Sequence, residues 1–209
     1  MTTVLIITVI ILLPYFYNAL FPLRPPVLEN YFTPGQTFFS KEEGVTQTVI
    51  RQDGKKVYCE LKFDPYAPGP PGHMHSAFDE SGTIVKGTLS TETGTKAREV
   101  YEGERVILPK GINHRMYNNT GDTVILRPEK EEDYIPVELA YSLAQLYPVM
   151  DSDGKNSLKL IMKISVLDSL FDVIPAGSPP DLFNILKKVI KPYARLFGIS
   201  PYDAKSKPV

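Results

Sequence analysis

The sequence carries one cysteine, Cys59, in 209 residues, so no internal disulfide framework exists and the redox compartment is left open. It also lacks an excess of either charge. The 23 basic and 24 acidic residues leave a formal net charge of -1. No basic stripe, zinc-finger spacing or RNP-like aromatic motif is present, so no nucleic-acid partner is expected. Internal repeats and low-complexity tracts are absent as well. Histidine is scarce, at three residues, and two of them stand one residue apart in "GHMHSAFDESG", residues 72–82.

The longest gap is in charge itself. From Thr2 to Leu23 there is no charged side chain, and Arg24 is the first. A helix needs roughly 20 apolar residues to cross a bilayer. A secretory signal would place Lys or Arg before the apolar run and small residues at a cleavage site. Here only Met-Thr-Thr precedes the run, and "YNALFPL" matches a cleavage site poorly. Residues 1–23 are therefore expected to form a single-pass membrane anchor, kinked at Pro14 as membrane helices tolerate. Cleavage, which would make the protein secreted, and burial in the domain are the alternatives.

What is present fits a loop-rich β domain. "PLRPPVLEN" (22–30) reads as a linker. From 32 to 130 short runs such as "TQTVIRQ", "KKVYCELKF", "GTIVKGTL" and "DTVILRP" alternate with glycine, proline, asparagine and aspartate. "RQDGKK" and "NTGDT" read as hairpin turns. Regularly spaced short strands imply a sandwich or barrel. "EKEEDY" (129–134) reads as a solvated acidic break. Beyond it, 136–198 shows helical spacing. In the last helix Leu182, Leu186, Val189, Tyr193 and Leu196 share a face, Asp181 is placed as the cap, and Gly198 ends the helix before a polar tail. That helix would either cover the barrel or lie on a membrane surface.

The chemistry concentrates in two stretches. On a strand, His73 and His75 point to one face, and Glu80 follows closely. The third histidine, His114, stands in "GERVILPKGINHRMYNN" (103–119). Imidazoles with a carboxylate suit first-row metals such as Fe, Mn, Ni, Cu or Zn better than Ca or Mg. Three nitrogens and one oxygen leave one or two positions open, as a catalytic metal requires. Met116 shares the strand face of His114 and is expected in the core or beside the ligands. Tyr58, Glu60 and Lys62 alternate along one strand, as do Arg115 and Tyr117. "DSDGK" (151–155) resembles a calcium loop but has Met162 where the twelfth-position Glu would stand, so it reads as a turn between helices. Asn118-Asn119-Thr120 is a glycosylation sequon on paper, discounted because Asn118 falls in the strand motif.

These residues carry a resemblance to the cupin superfamily. Its first motif, G-x5-H-x-H-x3,4-E-x6-G, is filled by His73, His75, Glu80 and Gly87, with Ala67 where the leading glycine stands. Its second, G-x5-P-x-G-x2-H-x3-N, is matched at Gly103, Pro109, Gly111, His114 and Asn118. The resemblance implies a jelly-roll β-barrel holding one divalent transition metal, Fe or Mn foremost, through His73, His75, Glu80 and His114. Glu80 would also serve as a catalytic base. Activities in the superfamily run from dioxygenases through isomerases to ligand sensors, and cupins often dimerise. The expectation is thus a membrane-anchored metal-dependent oxygenase of a small organic molecule, with a non-catalytic binding module or an isomerase as rivals.

Overall fold

The computed structural model describes residues 2–23, 26–203 and 208, with side chains from Thr8 onward. Arg24 and Pro25 of the expected linker, and residues 204–207 and 209 of the tail, lie outside the described residues. The chain opens with α1 (Thr2–Leu20) and continues into strands. These are β1 (Thr37–Ser40), β2 (Val45–Asp53), β3 (Lys56–Phe63), β4 (His73–Met74), β5 (Glu80–Lys86) and β6 (Leu89–Thr93). They continue with β7 (Lys96–Val100), β8 (Arg105–Leu108), β9 (His114–Tyr117), β10 (Val124–Arg127) and β11 (Ile135–Pro136). Three helices follow, α2 (Val137–Asp153), α3 (Leu158–Leu167) and α4 (Pro180–Leu196), with the short strand β12 (Ile174–Pro175) between the last two.

The pairing is antiparallel throughout and makes two sheets, one ordered β1-β2-β3-β10-β5-β8 with β11 beside β3, the other β12-β4-β9-β6-β7. This is consistent with the expected jelly roll. The run "GTIVKGTL" is two strands, not one. It breaks at Gly87 (φ +81), where the chain leaves the first sheet for the second, and an added Cβ would meet Thr123 O at 2.9 Å. "NTGDT" likewise carries the chain between sheets, from β9 to β10, and is not a hairpin turn.

Along the β2–β3 ladder the inward pairs are Val45 with Phe63, Gln47 with Leu61, and Val49 with Cys59. The first pair joins the core between the two sheets, together with Ile84, Leu89, Leu108 and Met116. The last pair joins a different core, made with Leu139, Tyr147, Leu160 and Phe171 from the helical region. One face of the larger sheet is thus covered at one end by strands and at the other by helices. Apolar residues three and four apart on α2 (Leu139, Leu143, Leu146) supply the covering stripe. Ser157 caps α3, its Oγ accepting from Leu160 N at 3.2 Å.

Several local expectations change. The acidic break holds a buried carboxylate: Asp133 takes Ser81 Oγ at 2.5 Å, the Arg105 guanidinium, and the amides of Glu129 and Lys130. The run after α3 does not stay helical; "DVIP" extends and pairs with β4. Asp181 lies in the first turn of α4, but no side chain caps that helix. Its expected apolar face looks outward: Leu182 is 51%, Leu186 47% and Val189 47% exposed, while Lys187 is buried on Asp168 O and the Phe183 ring. The tail docks up to residue 203: Lys163 Nζ reaches Ser200 O, Tyr141 OH reaches Pro201 O, and Asp203 N reaches Gln145 Oε1.

Among the described residues no helix is long and apolar enough to cross a membrane. The side chains of residues 2–7, the start of the apolar run, lie outside them. One face of the second half of α1 packs on protein: Tyr15 lies edge-on against Tyr193 of α4, and Asn18 bonds Pro192 O and the Arg195 guanidinium.

Candidate metal centre

β4 and β9 run side by side with His73 opposite His114, and this register brings the two motifs together. The loops lock in the same place, since Gly111 N donates to His75 O at 2.7 Å and Lys110 N to Asp79 Oδ1 at 2.9 Å. Glu80 opens β5 and points at the histidines from the other sheet. One ligand atom from each of His73, His75, Glu80 and His114 lies within 4.8 Å of all the others. His73 Nε2 and His75 Nε2 are 3.2 Å apart. Glu80 Oε2 is 3.7 Å from His75 Nε2 and 3.5 Å from His114 Nε2.

The outer nitrogens fix how the rings present themselves. His73 Nδ1 bonds Pro71 O at 2.8 Å, His75 Nδ1 bonds Asp172 O at 2.6 Å, and His114 Nδ1 bonds Ile112 O at 2.9 Å. A carbonyl only accepts, so each Nδ1 carries the proton and each Nε2 lone pair is free to bind an ion. Glu80 Oε2 and His114 Nε2 are buried without any hydrogen-bond partner. Leaving such groups unsatisfied costs about 1–3 kcal/mol each, so a cation between them fits the residues present. A His/His/Glu/His cluster is compatible with a divalent metal.

Charge and burial act against each other here. Burial pushes the His73 imidazolium down to about 4, against the pull of Glu80. Burial also lowers His75, but the Glu80 carboxylate 3.7 Å away outweighs it, with the Asp172 carbonyl on Nδ1 adding to it, and leaves His75 raised. For Glu80, burial alone would raise the carboxyl; contacts with His114 and His75 prevail and hold it well below the usual carboxylate range. Glu80 is therefore an anion facing the imidazoles.

Sequence reasoning missed one supporting residue. Asp172, 97 positions from His75, gives its carbonyl to that ring, and its carboxylate takes Ser76 N, Ser76 Oγ and Ala77 N. It arrives on the segment that pairs β12 with β4, and no motif marks it. Pro71 and Ile112 act only through backbone carbonyls, which no side-chain pattern reveals. The turn that lacks the leading motif glycine is rebuilt around Ala67, which takes Asn118 N and packs on Gly44, while Gly69 (φ +65) meets β9: an added Cβ would fall 1.8 Å from Met116 O.

The remaining candidates separate cleanly. Met116 is buried in the barrel core and also faces the cavity beside the histidines. Leu61 and Phe63 face that cavity, so Tyr58, Glu60 and Lys62 point away; Tyr58 OH bonds Glu131 and Glu60 pairs with Arg127. Arg115 stacks on Tyr117, 4.5 Å from its centroid. The Asn118 amide is committed to Asp64 O, Asp122 O and Thr120, which leaves nothing of the sequon free. Asp151 of "DSDGK" accepts from the amides of Lys41 and Glu42.

The fold and cluster together define an antiparallel two-sheet β protein with a candidate metal centre between its sheets. No protein-family model matches the chain, and no curated protein matches it by sequence. Among solved structures it is similar to KdgF from Halomonas sp., at 20% identity and TM-score 0.38 over 44% of this chain and 86% of that one. It is similar to an RmlC-like cupin from Shewanella frigidimarina, at 17% and 0.37 over 49% and 94%. It is also similar to a sugar phosphate isomerase of the cupin superfamily from Silicibacter pomeroyi, at 15% and 0.37 over 48% and 72%.

Proposed function

We propose that the chain is a cupin-type metalloprotein that holds one divalent transition metal, Fe or Mn before Zn, Ni or Cu, and oxygenates a small organic molecule. The observation that carries this is the convergence of three lone-pair nitrogens on a buried, partnerless carboxylate oxygen, with each outer nitrogen tied to a carbonyl. His73, His75, Glu80 and His114 would hold the divalent metal, which would supply Lewis-acid chemistry at the cavity floor. The chain does the rest. Carbonyl bonds hold the rings and burial excludes water, and Glu80, once released from the metal, would be the base that accepts a proton from the substrate. An isomerase of phosphorylated sugars fits less well, because Lys155 is the only lysine or arginine among the described residues lining the cavity, and it is exposed.

Metal analysis of the full chain followed by oxygen-electrode assays with phenolic, thiol and keto substrates tests this reading. Consumption of oxygen dependent on metal and on one substrate class supports it. A silent electrode with a fully metallated protein replaces the oxygenase with a non-catalytic binder. The same proposal keeps the N-terminal segment at a membrane, supported by exposed Ile10, Leu12 and Phe16 on α1. Carbonate extraction of membranes expressing the full chain checks that point, and release into the soluble fraction contradicts it.

A further inference from the structure

The cavity beside the histidines has a volume of about 530 Å³, within the size range of pockets that enclose whole organic ligands. Its walls do not suit a small polar substrate. Leu139, Leu143 and Leu146 form one stripe from α2, and Leu160, Ile161 and Ile164 another from α3. Val45, Leu61, Phe63 and Met116 close the barrel side. The polar side chains fall into two groups. His73, His75 and Glu80 lie at the barrel floor, near Glu43, Gln47 and Tyr147, and Gln47 Nε2 donates to Tyr147 OH at 2.9 Å. Lys155 and Asn156 are exposed at the opening.

The outer surface continues the pattern. Ile161, 44% exposed, belongs both to the wall and to the surface. Phe183 of α4 lines the cavity, and its neighbours Leu182 and Leu186 are the outward-looking residues of that helix. Exposed apolar side chains on the elements that form a cavity wall offer an apolar chain a route that never requires its full hydration.

We propose that the ligand is an amphiphile of lipid type, with an oxygen-bearing head at His73, His75 and Glu80 and a hydrocarbon tail along the α2 and α3 stripes. This rests on the histidine cluster being the reacting end, and the two fail separately. Calorimetric titration of the full-length protein with hexan-1-ol, octan-1-ol and decan-1-ol reads the tail, with metal measured in the same sample. Each buried methylene contributes about fourfold in affinity, so each two-carbon step tightens binding about 15-fold. Leu143→Trp narrows the wall, and Ile161→Trp does so from an exposed position where folding is not at stake. Each lowers decanol affinity by about tenfold and leaves metal content unchanged.

Phosphatidylcholine vesicles separate the sources. The N-terminal segment would sediment parent and variants alike, so vesicle sedimentation that falls in Leu143→Trp and Ile161→Trp assigns a bilayer lipid, a chain-length slope with sedimentation unchanged in those variants assigns a dissolved amphiphile, and both support the proposal. Equal affinity for the three alcohols, or none, in fully metallated protein overturns it and leaves the metal reading standing. A steep slope in protein that takes up no metal supports the lipid cavity and sinks the metal reading instead.

Discussion

The two sides of the cavity are built by different physics. At the barrel floor, each histidine has a named carbonyl on its outer nitrogen, and ligand atoms from two sheets meet within 4.8 Å. Along α2 and α3 the wall is leucine and isoleucine at helical spacing with no directional partner. The first region depends on placement to fractions of an ångström; the second depends on volume and apolar area. Chemistry and selectivity are therefore separable: substitutions in one region should leave the other working.

The largest effect is expected where the regions share a residue. Phe63 is fully buried, pairs with Val45 in the barrel core, and also faces the cavity. Phe63→Ala should cost about 3–5 kcal/mol in urea unfolding and impair both regions, which breaks the separation. Next is Glu43, buried on the cavity wall and pushed up to about 7 by burial, with Asp151 and Glu80 adding to it and Tyr147 opposing. A carboxyl raised above its unfolded value of 4.5 stabilises the protein below that pH, and the contribution is lost as pH rises through about 7. Unfolding free energy should fall by about 3 kcal/mol across that window, and Glu43→Gln should flatten the profile.

Asp172→Ala sharpens the comparison from the ordered side. Loss of the carboxylate frees Ser76 and Ala77 and with them the carbonyl that orients His75, so metal affinity should drop by about 10–100-fold while alcohol binding persists. The smallest effect belongs to the wall. Leu146→Met conserves volume and should cost less than about 1.5 kcal/mol, with metal content unchanged; a loss of metal there would end the separation.

The same contrast explains what the sequence disclosed. Within each motif the ligands stand at short local spacings; that the two motifs meet is implied by the family resemblance, and the pairing of β4 with β9 brings them together. Asp172 was not legible, because its role depends on β12 docking beside β4, a contact across 97 positions. The helices were legible as helices, but the orientation of α4 was not. Its apolar stripe leaves open whether that face covers the barrel or lies on a membrane; Lys187 finds Asp168 O and the Phe183 ring inside and leaves the stripe outside. The burial of Asp133 is hidden for a similar reason: its partners Ser81 and Arg105 come from β5 and β8, far from the acidic run that contains it.

The most direct test is metal stoichiometry by inductively coupled plasma mass spectrometry on the full-length protein and its His75→Ala variant, each offered Fe, Mn, Zn, Ni and Cu in turn. The account predicts about one equivalent of bound transition metal in the parent and a substoichiometric amount in the variant, because the site needs its ligands deprotonated and present. A folded parent protein that retains no metal from any of the five would contradict it.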